Sequence, residues 1–164
     1  MATAFATRLP SSSATTVQPH HTERDGFAPL RPRRPDYARA PISEGFDWGS
    51  CLADVGPGTW YLVVFRSVRR AGADAEMLTE FDDLAHREAQ AVGGLHFYFK
   101  GEPDSQRACL SLCLWQDQLS ARGALQLPRH QAAARIAAQM YESFGLERYS
   151  LTKHADGRLE FLGG

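Results

Sequence analysis

The 164-residue chain contains no asparagine, and its 16 arginines stand against only two lysines, Lys100 and Lys153. Any chemistry that rests on an asparagine side chain is closed to it. There are three cysteines, Cys51, Cys109 and Cys113, so at least one has no partner within the chain. Cys109 and Cys113 stand four apart in an apolar run, without the CxxC spacing of a zinc knuckle or redox pair. Free cysteines of this kind are small buried hydrophobes and point to the reducing cytoplasm. No apolar stretch approaches the ~18 residues needed to cross a bilayer, and the first ten residues lack the apolar centre of a secretory signal. Metal-ligand spacing, a Gly-rich phosphate loop and a GxSxG elbow are all missing. Charge of one sign is scarce too: 18 basic and 19 acidic residues leave −1. That balance excludes the basic surplus of non-specific nucleic-acid binding and of a polybasic membrane surface. No metal or cofactor is called for.

What remains is 43% hydrophobic and 10% aromatic, enough for one domain with a real core. Residues 1–44 differ in kind from the rest. They hold Ser11–Ser12–Ser13, Thr15–Thr16, His20–His21 and the run Arg31–Pro32–Arg33–Arg34–Pro35. Six arginines against four acids give this segment +2 and leave −3 on residues 45–164. Low hydrophobicity with Ser, Thr and Pro does not offset the entropy of ordering, so 1–44 is expected to be a mostly disordered extension and 45–164 the domain. The Arg- and Ser-rich, acid-poor start also has some likeness to an organellar transit peptide.

Within 45–164 the pattern alternates between strand and helix. Trp60–Val68 is β-branched and aromatic after Gly56–Pro57–Gly58, the signature of a strand. Ala73–Val92 follows with Met77, Leu78, Phe81, Leu84 and Ala85 on one helical face; Asp74 suits the N-cap and Gly93–Gly94 the stop. Leu95–Lys100 and Arg107–Trp115 alternate as strands around a Gly101–Glu102–Pro103–Asp104 turn. A helical stretch after Asp117 is interrupted by Pro128, which suits the first turn of a new helix. The stripe Ala133, Ile136, Ala137, Met140, Phe144 continues that helix to Gly145. Leu146–Thr152 reads as the last strand, before a short final segment ending at Leu162. The order β-α-β-β-α-β predicts an α+β, ferredoxin-like fold: a four-stranded antiparallel sheet with helices on one face. Both faces of its strands are apolar, so the face away from the helices also needs a cover. A partner subunit is the expected one.

Leu112–Cys113–Leu114–Trp115–Gln116–Asp117, then Ala121, Ala124, Pro128 and His130, with the helix to Tyr141, resemble the antibiotic-biosynthesis-monooxygenase type of the dimeric α+β-barrel superfamily. The likeness extends over about residues 58–153 by element order. It implies a homodimer with two sheets packed face to face, and a pocket between sheet and helices in each subunit. Members of that group include cofactor-free oxygenases of polyphenolic or quinone-like substrates, haem-degrading oxygenases, and proteins with no known reaction. The haem-degrading members, and some quinone-forming ones, use an asparagine on or near the first strand. Here that strand offers only Arg66 and Ser67, so that mechanism does not carry over. His130 and Trp115 are the positions that do.

Each candidate site residue has a structural alternative. His130, just after Pro128, is either a base or hydrogen-bond donor at the pocket mouth or a packing residue of the connection. Trp115 either stacks on a planar substrate or fills the core. His96 and Tyr98 alternate onto one face of their strand and line either the pocket or the subunit interface. Arg66, in an apolar strand, needs an anion: Glu88, or the enolate or carboxylate of a substrate. Tyr141 is expected about 16 Å from His130 along the helix, so the two would line opposite ends of one pocket, with Phe81 on the facing helix. Phe46, Trp48 and Cys51 precede the first strand and dock over the domain, as packing or as a lid. Asp82–Asp83 reads as a solvated helix face. With these residues, the resemblance implies a homodimeric, cofactor-free monooxygenase of a hydrophobic aromatic or polyketide-like molecule. His130 or His96 would deprotonate the substrate and Arg66 would stabilise the anion. A cyclase or isomerase, and a non-catalytic small-molecule binding module, are the alternatives.

Overall fold

A computed structural model describes residues 26–164 of the chain. The Ser11–Ser13 run and His20–His21 lie outside the described residues. Two short helices come first, α1 (Ile42–Gly45) and α2 (Trp48–Cys51), followed by strand β1 (Gly58–Arg69). Helix α3 (Ala75–Val92) leads to β2 (Leu95–Lys100) and β3 (Ala108–Trp115). Helices α4 (Gln118–Ala124) and α5 (Pro128–Met140) then lead to β4 (Tyr141–Lys153) and β5 (Leu159–Gly163).

Local signals place the helices. Asp74 caps α3 by accepting from the Met77 N–H at 2.9 Å, and Asp117 caps α4 by accepting from Ser120 N–H at 2.7 Å. Pro128 sits in the first turn of α5, where its missing N–H costs nothing. Gly93 ends α3 with φ +85°, a left-handed backbone that favours glycine.

The sheet runs β2-β3-β1-β4-β5 and every named pairing is antiparallel. With α3 and α5 as crossovers this is the ferredoxin-like arrangement, carrying five strands rather than the predicted four. The last segment turns back through His154–Arg158, and β5 pairs with β4 from Leu159↔Lys153 to Gly163↔Tyr149. The long β4 is the second departure. Helical periodicity carries α5 to Phe144, but the helix stops at Met140 and Tyr141 is already extended. Phe144 pairs with Ser67 instead. The partner strand β1 is 12 residues long, and its ladder continues past Leu146 because each further pair satisfies more backbone groups than a helix end would.

The two sheet faces have different covers. Leu62 and Val64, Phe97 and Phe99, and Leu112 and Leu114 share one face by register. That face is packed by Leu30, Ile42, Phe46, Trp48 and Leu52, all at most 3% exposed. Burial of each such side chain is worth about 2 kcal/mol before ordering costs. Residues 26–44 are thus built against the sheet, where a disordered extension was expected. The cover assigned to a partner subunit comes from the same chain.

Polar ties fix this lead-in. Arg66 donates to the carbonyls of Ala38 (2.6 Å) and Ala40 (2.8 Å). Lys153 Nζ donates to the carbonyls of Leu52 (2.6 Å) and Val55 (2.7 Å) at the end of α2. Arg39 pairs with Asp104 in the β2–β3 connection. Trp48 Nε1 donates to the Ile42 carbonyl at 2.8 Å, so the indole is satisfied inside the core.

Candidate functional site

The opposite sheet face looks toward the helices and presents Tyr61, Val63 and Phe65 of β1 beside Ser111, Cys113 and Trp115 of β3. Helix α3 lays Leu78, Phe81, Asp82, Ala85 and His86 over it, and α5 contributes His130, Ile136 and Ala137. Helix α5 packs mainly on α3. A cavity of about 580 Å³ remains between the helices and the sheet. A volume of that order suits a small organic molecule.

The wall is mostly apolar, with a polar cluster on α3 and β2. The Tyr98 hydroxyl donates to Asp82 Oδ1 at 2.7 Å. Lys100 Nζ lies 3.0 Å from Asp82 Oδ2 and 3.3 Å from Asp83 Oδ1. The rings of His86 and Tyr98 lie 4.8 Å apart. Burial, reinforced by the Asp82 charge, holds the Tyr98 phenol well above its usual range. Burial likewise pushes the Cys113 thiol up to about 12. Phenol and thiol are both protonated at neutral pH, so Tyr98 acts as a donor and Cys113 is no nucleophile.

His130 behaves differently. Its Nδ1 is buried and takes no hydrogen bond. Burial lowers its pKa, with the charges of Glu88 and Asp82 opposing this. A neutral imidazole on the wall of a cavity can accept or donate a proton through whichever ring edge meets the ligand. Glu88 holds this end of α5 in place: its carboxylate accepts from the Arg129 N–H at 2.8 Å. That contact substitutes for the N-cap Leu127 cannot provide.

The structure divides the predicted site residues. His130, Trp115, Tyr98, Tyr141 and Phe81 line the cavity together. Trp115 is 2% exposed, so it serves as wall and core at once. Tyr141 stands beside Phe65, ring centres 5.2 Å apart, as the first residue of β4 rather than on the helix. Arg66 does not reach the cavity. It lies on the lead-in face, and its partner is Glu147 at 2.6 Å, not Glu88. His96 is also on that face, its ring 4.9 Å from Phe27. A register shift between Leu95 and Phe97 breaks the alternation that would have set it beside Tyr98. Phe46, Trp48 and Cys51 pack under the sheet, away from the cavity, which excludes their lid role.

Asp82 is the residue that sequence reasoning misplaced. It lines the cavity and is only half exposed, held by Tyr98 and Lys100. Leu78, Asp82, Ala85, His86 and Ala89 recur at helical spacing, and that wheel was the available signal. Among the described residues no helix is long and apolar enough to cross a membrane, and no cluster of His, Cys and carboxylates could hold a metal ion.

An antiparallel ferredoxin-like sheet with a ligand-sized cavity under its helices defines the class of molecule. The chain belongs to the PB2B2.08-like family, whose profile matches residues 11–162. Among solved structures it is similar to protein SO0527 from Shewanella oneidensis, at 15% identity and TM-score 0.50 over 57% of this chain and 93% of that one. It is also similar to the NE2512 protein of unknown function from Nitrosomonas europaea (19% identity, 57% and 89% covered, TM-score 0.48). A third is a candidate antibiotic biosynthesis monooxygenase from Nitrosomonas europaea (11% identity, 54% and 95% covered, TM-score 0.48). Identities this low speak to fold alone. No curated protein sequence matches the chain.

Proposed function

We propose that the chain binds a hydrophobic aromatic or polyketide-like molecule in the cavity and oxygenates it without a cofactor. One observation supports this above the others: a neutral, half-buried His130 on the wall of an apolar space of about 580 Å³. His130 takes a proton from an acidic C–H or phenolic O–H of the substrate. The electron-rich anion then reduces oxygen; one oxygen atom becomes a substrate carbonyl, the other leaves as water, and all the electrons come from the substrate. Phe81, Trp115 and Tyr141 supply aromatic walls. Tyr98, held by Asp82, supplies a hydroxyl next to the bound molecule. Arg66 and His96 have no part in this mechanism. Every group it uses belongs to one copy of the chain, and a homodimer joined through the sheet would have to displace residues 27–55. The compartment that fits is the cytoplasm, since all three cysteines are free thiols.

The test is oxygen uptake with an anthrone or comparable electron-rich phenol. We expect uptake matched to quinone formation, reduced about 100-fold or more in His130→Ala. Uptake that is absent in the native chain, or unchanged in the variant, overturns the reading. The neutral His130 in an apolar cavity also suits an acid–base cyclase or isomerase. Turnover that persists without oxygen selects that chemistry.

A further inference from the structure

We infer that the ligand of the cavity is an acid whose carboxylate is received between Arg122 of α4 and Arg148 of β4; this rests on the cavity being the binding site. Both residues line it and both are exposed. Tyr61 fixes their relation. Gln118 Nε2 donates to the Tyr61 hydroxyl at 3.4 Å, and Arg122 stands one helical turn after Gln118 on the same face of α4. Arg148 pairs with Val63, while Tyr61 pairs with Ser150, so Arg148 is the diagonal neighbour of Tyr61 on the same sheet face. The two arginines therefore come from different walls of the cavity, each next to the same tyrosine.

Their charge is not spent inside the protein. Arg34, Arg39, Arg66 and Arg107 all hold carboxylates. Among the described residues Arg122 and Arg148 hold none, and both are exposed. The last turn of α4 favours a cation at Arg122 without neutralising it. Asp82, the one carboxylate of the lining, is already paired with Lys100. The cavity thus offers an apolar body and a mouth with surplus positive charge. Each guanidinium presents a planar fork of donors that fits a carboxylate in bidentate fashion. A neutral apolar molecule would leave both forks to water.

Anthracene-2-carboxylic acid and its isosteric neutral amide, anthracene-2-carboxamide, separate the possibilities by fluorescence titration against the full chain. We expect the acid to bind about tenfold more tightly than the amide at low salt, with the ratio falling as salt rises. Replacing both arginines (Arg122→Gln with Arg148→Gln) should bring the ratio to one while amide affinity and thermal unfolding stay unchanged. Equal affinities in the native chain, or a preference that survives the double substitution, overturn the carboxylate site and leave the cavity reading standing. If neither compound binds, the cavity reading falls and this one with it.

Discussion

At the scale of single residues, His130 and Arg66 show how surroundings separate a cavity-wall group from one that ties the architecture together. His130 is half-buried, its Nδ1 takes no hydrogen bond, and burial lowers its pKa. The folded chain therefore binds this proton less readily than the unfolded chain. Above the ordinary imidazole value of about 6.5 both states are neutral and the group is silent. As pH falls through that value the unfolded state protonates first, so stability drops until the folded imidazole is charged as well. An NMR titration should place His130 below the ordinary value, and His130→Gln should remove this part of the acid loss. A His130 that titrates at or above the ordinary value would contradict the buried neutral imidazole. Arg66 was correctly read as needing an anion, but the sequence pointed to the wrong one. Glu147 becomes its neighbour only through the β1–β4 register, which pairs Val64 with Glu147. No local pattern encodes that pairing. Arg66→Met leaves the carbonyls of Ala38 and Ala40 without their Arg66 donor, and Glu147 with only the Tyr149 hydroxyl. The ion pair is partly exposed, so we expect a loss of about 2 kcal/mol in urea unfolding, below the ~3–5 kcal/mol of a fully buried pair.

At the scale of elements, the legible parts are those whose signals are local. Asp74 and Asp117 mark helix starts three residues from the N–H groups they satisfy, and Pro128 marks a third by occupying its first turn. The cavity-lining positions Phe81, Tyr98, Trp115 and His130 were legible for the same reason, since periodicity on an element is a local property. Three features escaped, the pairing of β5 on β4 among them. The start of β4 is set by the length of β1, far away in sequence. The lead-in buries Leu30, Ala38, Ile42, Phe46 and Trp48 at spacings that follow neither helix nor strand period, so its composition resembles a disordered segment. Its fit is nonetheless close. The N–H of Gly101 donates to the Leu110 carbonyl at 3.0 Å. A Cβ at that position would overlap the same carbonyl oxygen and lie 2.8 Å from the Tyr37 hydroxyl of the lead-in. Gly101→Ala should cost about 2 kcal/mol by overpacking. Calorimetry should record a lower Tm, and Tyr37→Phe should leave most of that loss in place because the backbone clash remains.

At the scale of the whole molecule, the sheet sits between two layers made by one chain, helices on one side and residues 27–55 on the other. The surplus of apolar residues is accounted for by this second layer without a second subunit. Both lysines serve the assembly: Lys100 ties β2 to α3 through Asp82 and Asp83, and Lys153 ties β4 to the end of α2. Asp104 is held below the usual carboxylate range by its hydrogen bond to Arg39, with backbone N–H groups of Ala108 and Gln106 helping. A carboxylate with a depressed folded pKa stabilises above its unfolded value and loses that contribution as pH falls through the folded one. Acid therefore loosens the same layer that the lysine and arginine ties secure. Replacing two of the ties together, Arg39→Ala with Lys153→Ala, should detach part of the lead-in while the cavity side keeps its structure. The uncovered row of Leu62, Val64, Leu112 and Leu114 would then meet water, and a flat apolar sheet face of that kind recruits another surface. We expect increased binding of an apolar dye, a concentration-dependent rise in sedimenting mass, and an unchanged His130 titration. A double variant that binds no more dye and sediments as the native chain does would mean that apolar contact alone holds the layer. The ties would then fix its position without contributing to its attachment.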